Sequence, residues 1–93
     1  MRVGTIEVAV ALFGVNSLKE KRSIVKRFLN QLQARYHCAV CESDRMDSLG
    51  DFVFGCAVVA NEGAHCDRML QEILRWCEIE APGPVTDVHT EVL

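Results

Sequence analysis

From Phe52 to Ala60, nine residues run without a charged or hydrogen-bonding side chain on either alternating face: Phe52-Val53-Phe54-Gly55-Cys56-Ala57-Val58-Val59-Ala60. A strand that is apolar on both faces belongs in the middle of a sheet, covered from both sides. The rest of the chain must then supply flanking strands, a layer over one face of the sheet, and cover for the other.

The flanking strands are legible. Val3 to Phe13 alternates, with Gly4, Ile6, Val8, Val10 and Leu12 on one side. Val3, Thr5, Glu7, Ala9, Ala11 and Phe13 lie on the other, and this period of two predicts a first strand. Gly14-Val15-Asn16 breaks it. Cys38 to Asp44 reads as a second strand, and Arg45-Met46-Asp47-Ser48-Leu49-Gly50 carries the turn residues before the third, Asp51 to Ala60. Val85 to Leu93 alternates again and reads as a half-exposed edge strand.

Two helices complete the pattern. Ser17 is an N-cap with Glu20 at the capping-box spacing, and Leu18, Val25, Phe28, Leu29, Leu32 and Tyr36 form a helical stripe. Lys21 falls near the core direction in the first turn, so its stem is expected over the core edge with its ammonium in water. Asn61-Glu62-Gly63 ends the third strand and opens a second helix from about Ala64 to Glu78. Its core face is Cys66, Met69, Leu70, Ile73 and Cys77, with Trp76 at the flank. Ala81-Pro82-Gly83-Pro84 ends it.

The order β-α-β-β-α-β with right-handed crossovers predicts a ferredoxin-like α+β sandwich. It is a single domain of residues 1–93, with a four-stranded antiparallel sheet in order 4-1-3-2 and two helices on one face. One helix layer cannot cover both faces, so the helix-free face is expected to be covered by a partner, most simply a second copy of the chain in a homodimer.

Charge is unevenly spread. Between Ser17 and Tyr36, six basic residues face Glu20 alone, a balance of +5, while the remainder carries −8 and the whole −3. Lys19, Arg22 and Lys26 share one flank of the first helix, with Arg27 behind them. A basic helix edge that starts at a helix N-terminus suits a phosphate backbone held by charge rather than by sequence. A solvated helix face balanced by acids elsewhere is the alternative. The apolar run Val8 to Val15 is too short to span a bilayer, and no signal peptide is read at the N-terminus.

Catalytic and metal motifs are weak. The chain has five cysteines, an odd number that fits reduced thiols in a cytoplasmic protein. Cys38 and Cys41 have C-x-x-C spacing, but positions i and i+3 on a strand point to opposite faces, so buried apolar thiols are the expected reading over zinc or redox use. Cys41 and Cys56 are candidate neighbours across the second-to-third-strand hairpin. Glu42, Asp44 and Asp47 could hold a cation at that turn or be plain turn acids. His37, His65 and His89 lie in three different elements. Phe52 and Phe54 share a face as the stacking aromatics of RNA-recognition domains do, yet Asp51 stands where a basic residue belongs, and core or interface packing is expected instead. No phosphate loop, nucleophile elbow or dinucleotide fingerprint is present. An acylphosphatase-like use of the fold would need an arginine after the first strand, and Gly14-Val15-Asn16 has none. The expected role is non-enzymatic, with no cofactor and no metal.

Met1-x-Val3-Gly4 before an apolar strand, followed by Ser17-Leu18-Lys19-Glu20-Lys21-Arg22, resembles the YlxP-like family of small bacterial proteins, a domain of unknown function. The likeness continues through Arg35-Tyr36-His37, Val40 and Glu42, Gly55-x-Ala57-Val58-Val59 and Glu91, so it covers essentially the whole chain. Leu49 stands roughly where the family often has tryptophan, and the cysteine content is this chain's own. The resemblance implies a ferredoxin-like fold and the bacterial cytosol. The neighbourhood of family genes, near translation-initiation and ribosome-maturation genes, implies ribosomal RNA or a ribosome-associated partner. It implies no activity, cofactor or catalytic residue. Two readings follow: an RNA- or ribosome-associated module using Lys19, Arg22, Lys26 and Arg27, or a homo-oligomeric regulatory or small-ligand-binding module without a nucleic-acid role.

Overall fold

A computed structural model describes all 93 residues. The elements are β1 (Arg2–Ala11), α1 (Leu18–Tyr36), β2 (Ala39–Asp44), β3 (Asp51–Ala60), α2 (Gly63–Glu80) and β4 (Val85–Val92). The strands form one antiparallel sheet in order β2-β3-β1-β4, the expected 4-1-3-2 order read from the other edge. This is the ferredoxin-like arrangement, and β3 is central as its two apolar faces require.

The core lies between the helices and the even-numbered residues of β1 and β3. Ile6, Val8, Val10 and Leu12 face Phe52, Phe54, Cys56 and Val58 on the same side of the sheet. Val25, Phe28, Leu29 and Leu32 of α1 and Leu70, Ile73 and Cys77 of α2 close over them. Gly4 lets α2 approach β1, because a Cβ there would lie 3.1 Å from Cys66 Cβ and 3.2 Å from Leu70 Cδ1.

Phe52 and Phe54 are fully buried beneath the helices. The Phe28 ring packs edge-on against Phe52 and Phe54 and stacks on Trp76 at 5.5 Å. They are therefore core residues and not a base-stacking surface. The helix-free face of β3 presents Val53, Gly55, Ala57 and Val59 instead, because successive strand residues alternate sides.

The start of α1 is capped locally. Ser17 Oγ accepts from the Glu20 N–H at 3.1 Å, and Glu20 Oε2 accepts from the Asn16 N–H at 3.2 Å, so the reciprocal bond falls one residue earlier than in the standard capping box. At the other end His37 takes the left-handed conformation, φ 49°, and its N–H returns to Gln33 O at 2.8 Å. Glu62 caps α2 with no side-chain hydrogen bond, a weaker start.

Several expectations are corrected. β1 ends at Ala11, so Phe13 lies in the following loop and is 78% exposed. Cys41 pairs with Gly55, and Cys56 pairs with Val40. The two thiols are one step out of register and point to opposite faces. The C-x-x-C pair does not converge, as its strand spacing implies, and Cys38 is buried as expected, but Cys41 is exposed rather than buried.

The largest correction concerns Lys21. It is 1% exposed, and its ammonium is not in water. Nζ donates to Arg45 O at 2.6 Å and to Met46 O at 3.4 Å, and lies 3.4 Å from Glu42 Oε2. Arg45 adopts φ 57°, a left-handed conformation that non-glycine residues rarely take. That conformation helps aim its carbonyl at the lysine. The first turn of α1 is thereby tied to the β2–β3 turn, a long-range contact that local sequence does not encode.

Candidate functional site

The predicted basic residues lie on the outer side and the β2 flank of α1. Lys19, Arg22, Lys26 and Arg27 are all exposed. The ion pairs of the molecule are Lys21–Glu42 and Arg45–Asp51, so none of these four cations is neutralised by an internal carboxylate. Arg22 and Lys26 line a groove of about 310 Å³ between α1 and β2, with Asn30 and Gln33 beside them and Val40 and Glu42 on the strand side. Lys26 and Arg27 border a second hollow on the outer face of α1, with Ser23 and Gln31. Lys26 thus joins the two surfaces, and Lys19 lies in neither.

An open trough of about 510 Å³ occupies the helix-free sheet face. Strand register places Cys41, Gly55, Glu7 and His89 in one row across all four strands. Gly55 makes the dip, since a Cβ there would fill space 3.7 Å from Cys41 Sγ. Glu7, Asp44 and Asp87 border the adjoining hollow with Arg45 and His89, so this part of the face is predominantly acidic. The other two histidines are remote: His37 caps α1, and His65 is exposed on α2.

The turn acids do not converge on one ion. Glu42 lies on the helix side against Lys21, and Asp44 lies on the helix-free side, where its Oδ1 accepts the Arg45 N–H at 2.8 Å. Glu42 Oε2 is buried and, at 3.4 Å from the ammonium, has ionic contact but no hydrogen bond. The Ser48 hydroxyl and the Arg45 guanidinium hold the Asp51 carboxyl below its ordinary value. No helix is long and apolar enough to cross a membrane.

The five cysteines divide sharply. Burial pushes the Cys77 thiol up to about 12, and burial with Cys38 alongside raises Cys56 as well. The thiolate is the nucleophile, so a buried thiol held neutral is inert. In native protein one thiol, Cys41, is expected to react rapidly with an aromatic disulfide reagent at pH 8. Cys38, Cys56, Cys66 and Cys77 react only on unfolding. Cys41→Ser should remove the fast phase entirely; a native count above one would contradict this assignment.

The fold defines a small ferredoxin-like α+β protein with an exposed basic edge on α1. Residues 3–90 match the family model described as "Protein of unknown function (DUF503)", and the chain belongs to that family. It is 28% identical over 76 residues to "Uncharacterized protein YlxP" of Bacillus subtilis (strain 168), covering 82% of this chain and 83% of that protein. Among solved structures it is similar to "De novo designed protein Ferredog-Diesel", at 15% identity and a TM-score of 0.46, over 96% of this chain and 83% of that one.

The exposed cations are legible in the sequence, whereas the exposure of Phe13 and the Lys21–Arg45 link are not. The exposure of Phe13 follows from β1 ending two residues early. The fate of Lys21 follows from where a distant turn packs.

Proposed function

We propose that the protein is a non-enzymatic module that holds an RNA phosphate backbone along α1, with Lys19, Arg22, Lys26 and Arg27 as its contacts. The observation that carries this reading is that all four cations are exposed and none is ion-paired within the fold. Unpaired cations on one edge create a local positive field although the chain as a whole is acidic. The helix-free face supports the same choice by exclusion. Glu7, Asp44 and Asp87 would repel a polyanion there. Ribosomal RNA fits as the target through the genomic setting of the family.

Four phosphate contacts give a salt dependence that can be measured. Between 50 and 200 mM KCl the affinity for RNA is expected to fall roughly 50- to 150-fold. Replacing Lys19, Arg22 and Lys26 together with Glu should abolish binding at 50 mM and flatten that slope. Wild-type protein with no RNA affinity at 50 mM KCl would sink the reading.

A second reading remains, a homo-oligomeric regulatory module joined through the helix-free face. It is favoured by Val59, which is 59% exposed at the end of β3, and by the small residues around Gly55. Sedimentation that gives a monomer at high micromolar concentration would exclude it.

A further inference from the structure

Five of the six aromatic side chains are buried or half-buried: Phe28, Phe52, Phe54, Trp76 and Tyr36. The sixth, Phe13, is 78% exposed in the loop that leads from β1 into the basic helix. A lone exposed apolar side chain is ordinary on a protein surface. Phe13, however, stands on fixed backbone. On one side the Ala11 N–H bonds Pro84 O at 2.9 Å, and the Leu12 N–H bonds Gly50 O at 2.9 Å. On the other side the Asn16 N–H is held by Glu20 at 3.2 Å. Between these anchors Gly14 turns the chain at φ 71° directly after Phe13. A phenylalanine flanked this way sits on a loop pinned at both ends, with its ring left out of the core.

Its place in the loop that leads into the basic helix gives the ring a use. Lys19 and Arg22, exposed and without an ion pair, follow six and nine residues later in the chain, in the first turns of α1. An aromatic ring beside a line of cations is the pairing by which proteins hold single-stranded nucleic acid. The cations take the phosphates, and a splayed base stacks on the ring. Duplex RNA keeps its bases stacked internally and offers such a ring nothing.

We infer that Phe13 stacks an unpaired base, so that the ligand of the α1 edge is single-stranded rather than double-helical RNA. This rests on the reading of α1 as a phosphate-binding edge. The test is a fluorescence-anisotropy titration at 50 mM KCl, using a labelled 12-nucleotide single-stranded RNA and a 12-base-pair RNA duplex. Wild type is expected to prefer the single strand. Phe13→Ala should weaken single-strand binding about 5- to 150-fold, leave duplex binding unchanged and leave the salt slope unchanged, because the ring carries no charge. Phe13→Trp should retain the affinity. The ring is exposed, so neither variant should shift the thermal midpoint by more than a few degrees.

Equal affinity of wild type and Phe13→Ala for the single strand would overturn the inference, while salt-dependent RNA binding would leave the α1 reading standing. A preference for duplex would overturn it in the same way. No binding of either RNA would remove both. A Phe13→Ala change that alters self-association or vesicle binding but not RNA binding would assign the ring to another partner and overturn the inference as well.

Discussion

Lys21→Met is expected to destabilise the protein by about 3–5 kcal/mol, although it replaces a helical lysine with a side chain of similar length. Lys21 is 1% exposed and sits between two backbone carbonyls and a carboxylate. Methionine fills the volume but donates nothing. The Arg45 and Met46 carbonyls then lose a donor, and Glu42, whose side chain is only 21% exposed, loses its cation. A buried polar group without a partner costs about 1–3 kcal/mol, and an uncompensated charge costs more. For a domain of this size each kilocalorie lowers the thermal midpoint by about 4–8 °C, so a fall of at least 12 °C is expected by calorimetry. Adding Glu42→Gln removes the stranded charge, so the double variant should be less destabilised than the single one. Lys19→Met on the exposed flank should change stability by no more than about 0.5 kcal/mol. A Lys21→Met midpoint within a few degrees of wild type would show that the link between α1 and the β2–β3 turn is not holding the fold together.

The second large effect is expected at Gly83. A Cβ there would lie 1.8 Å from Ala11 O and 3.0 Å from Ala11 C, far inside van der Waals contact. Both are backbone atoms of β1, and the neighbouring Ala11 N–H bonds Pro84 O at 2.9 Å. The clash cannot be relieved by a side-chain rotation. Either the Pro82–Pro84 segment lifts and breaks that bond, or β1 bends out of its pairing with β3. Overpacking costs about 1–3 kcal/mol where side chains can adjust, and Gly83→Ala should fall at or above the top of that range. Gly50→Ala is the matched control, because a Cβ at Gly50 meets nothing within 4 Å. The two variants should differ in urea midpoint by more than 1 M, given a slope of about 1–3 kcal/mol/M. Indistinguishable midpoints would mean that the α2–β4 connection tolerates the side chain.

Both predictions concern contacts between segments far apart in sequence, which local pattern does not encode. Periodicity placed the elements because each strand and helix must turn its apolar side to a common core. The even positions of β1 and the Val25–Leu32 stripe of α1 say this without reference to anything else. The capping of α1 was equally legible, since Ser17 and Glu20 act within one turn. The four exposed cations could be chosen from helical geometry alone.

Other features were decided elsewhere in the chain. The end of β1 at Ala11 depends on where the β2–β3 turn and Pro84 meet it, and that end point is what exposes Phe13. The pairing of Cys41 with Gly55 depends on hairpin register, which C-x-x-C spacing does not set. Composition and pattern alone thus determined a β-α-β-β-α-β chain with β3 at its centre and a basic edge on α1. Tertiary structure decided that Lys21 is a buried tie while Lys19, Arg22, Lys26 and Arg27 stay free. The physical reason is that an amphipathic stripe fixes only the direction a side chain takes from its helix. Whether it meets water or a carbonyl depends on which distant segment packs there.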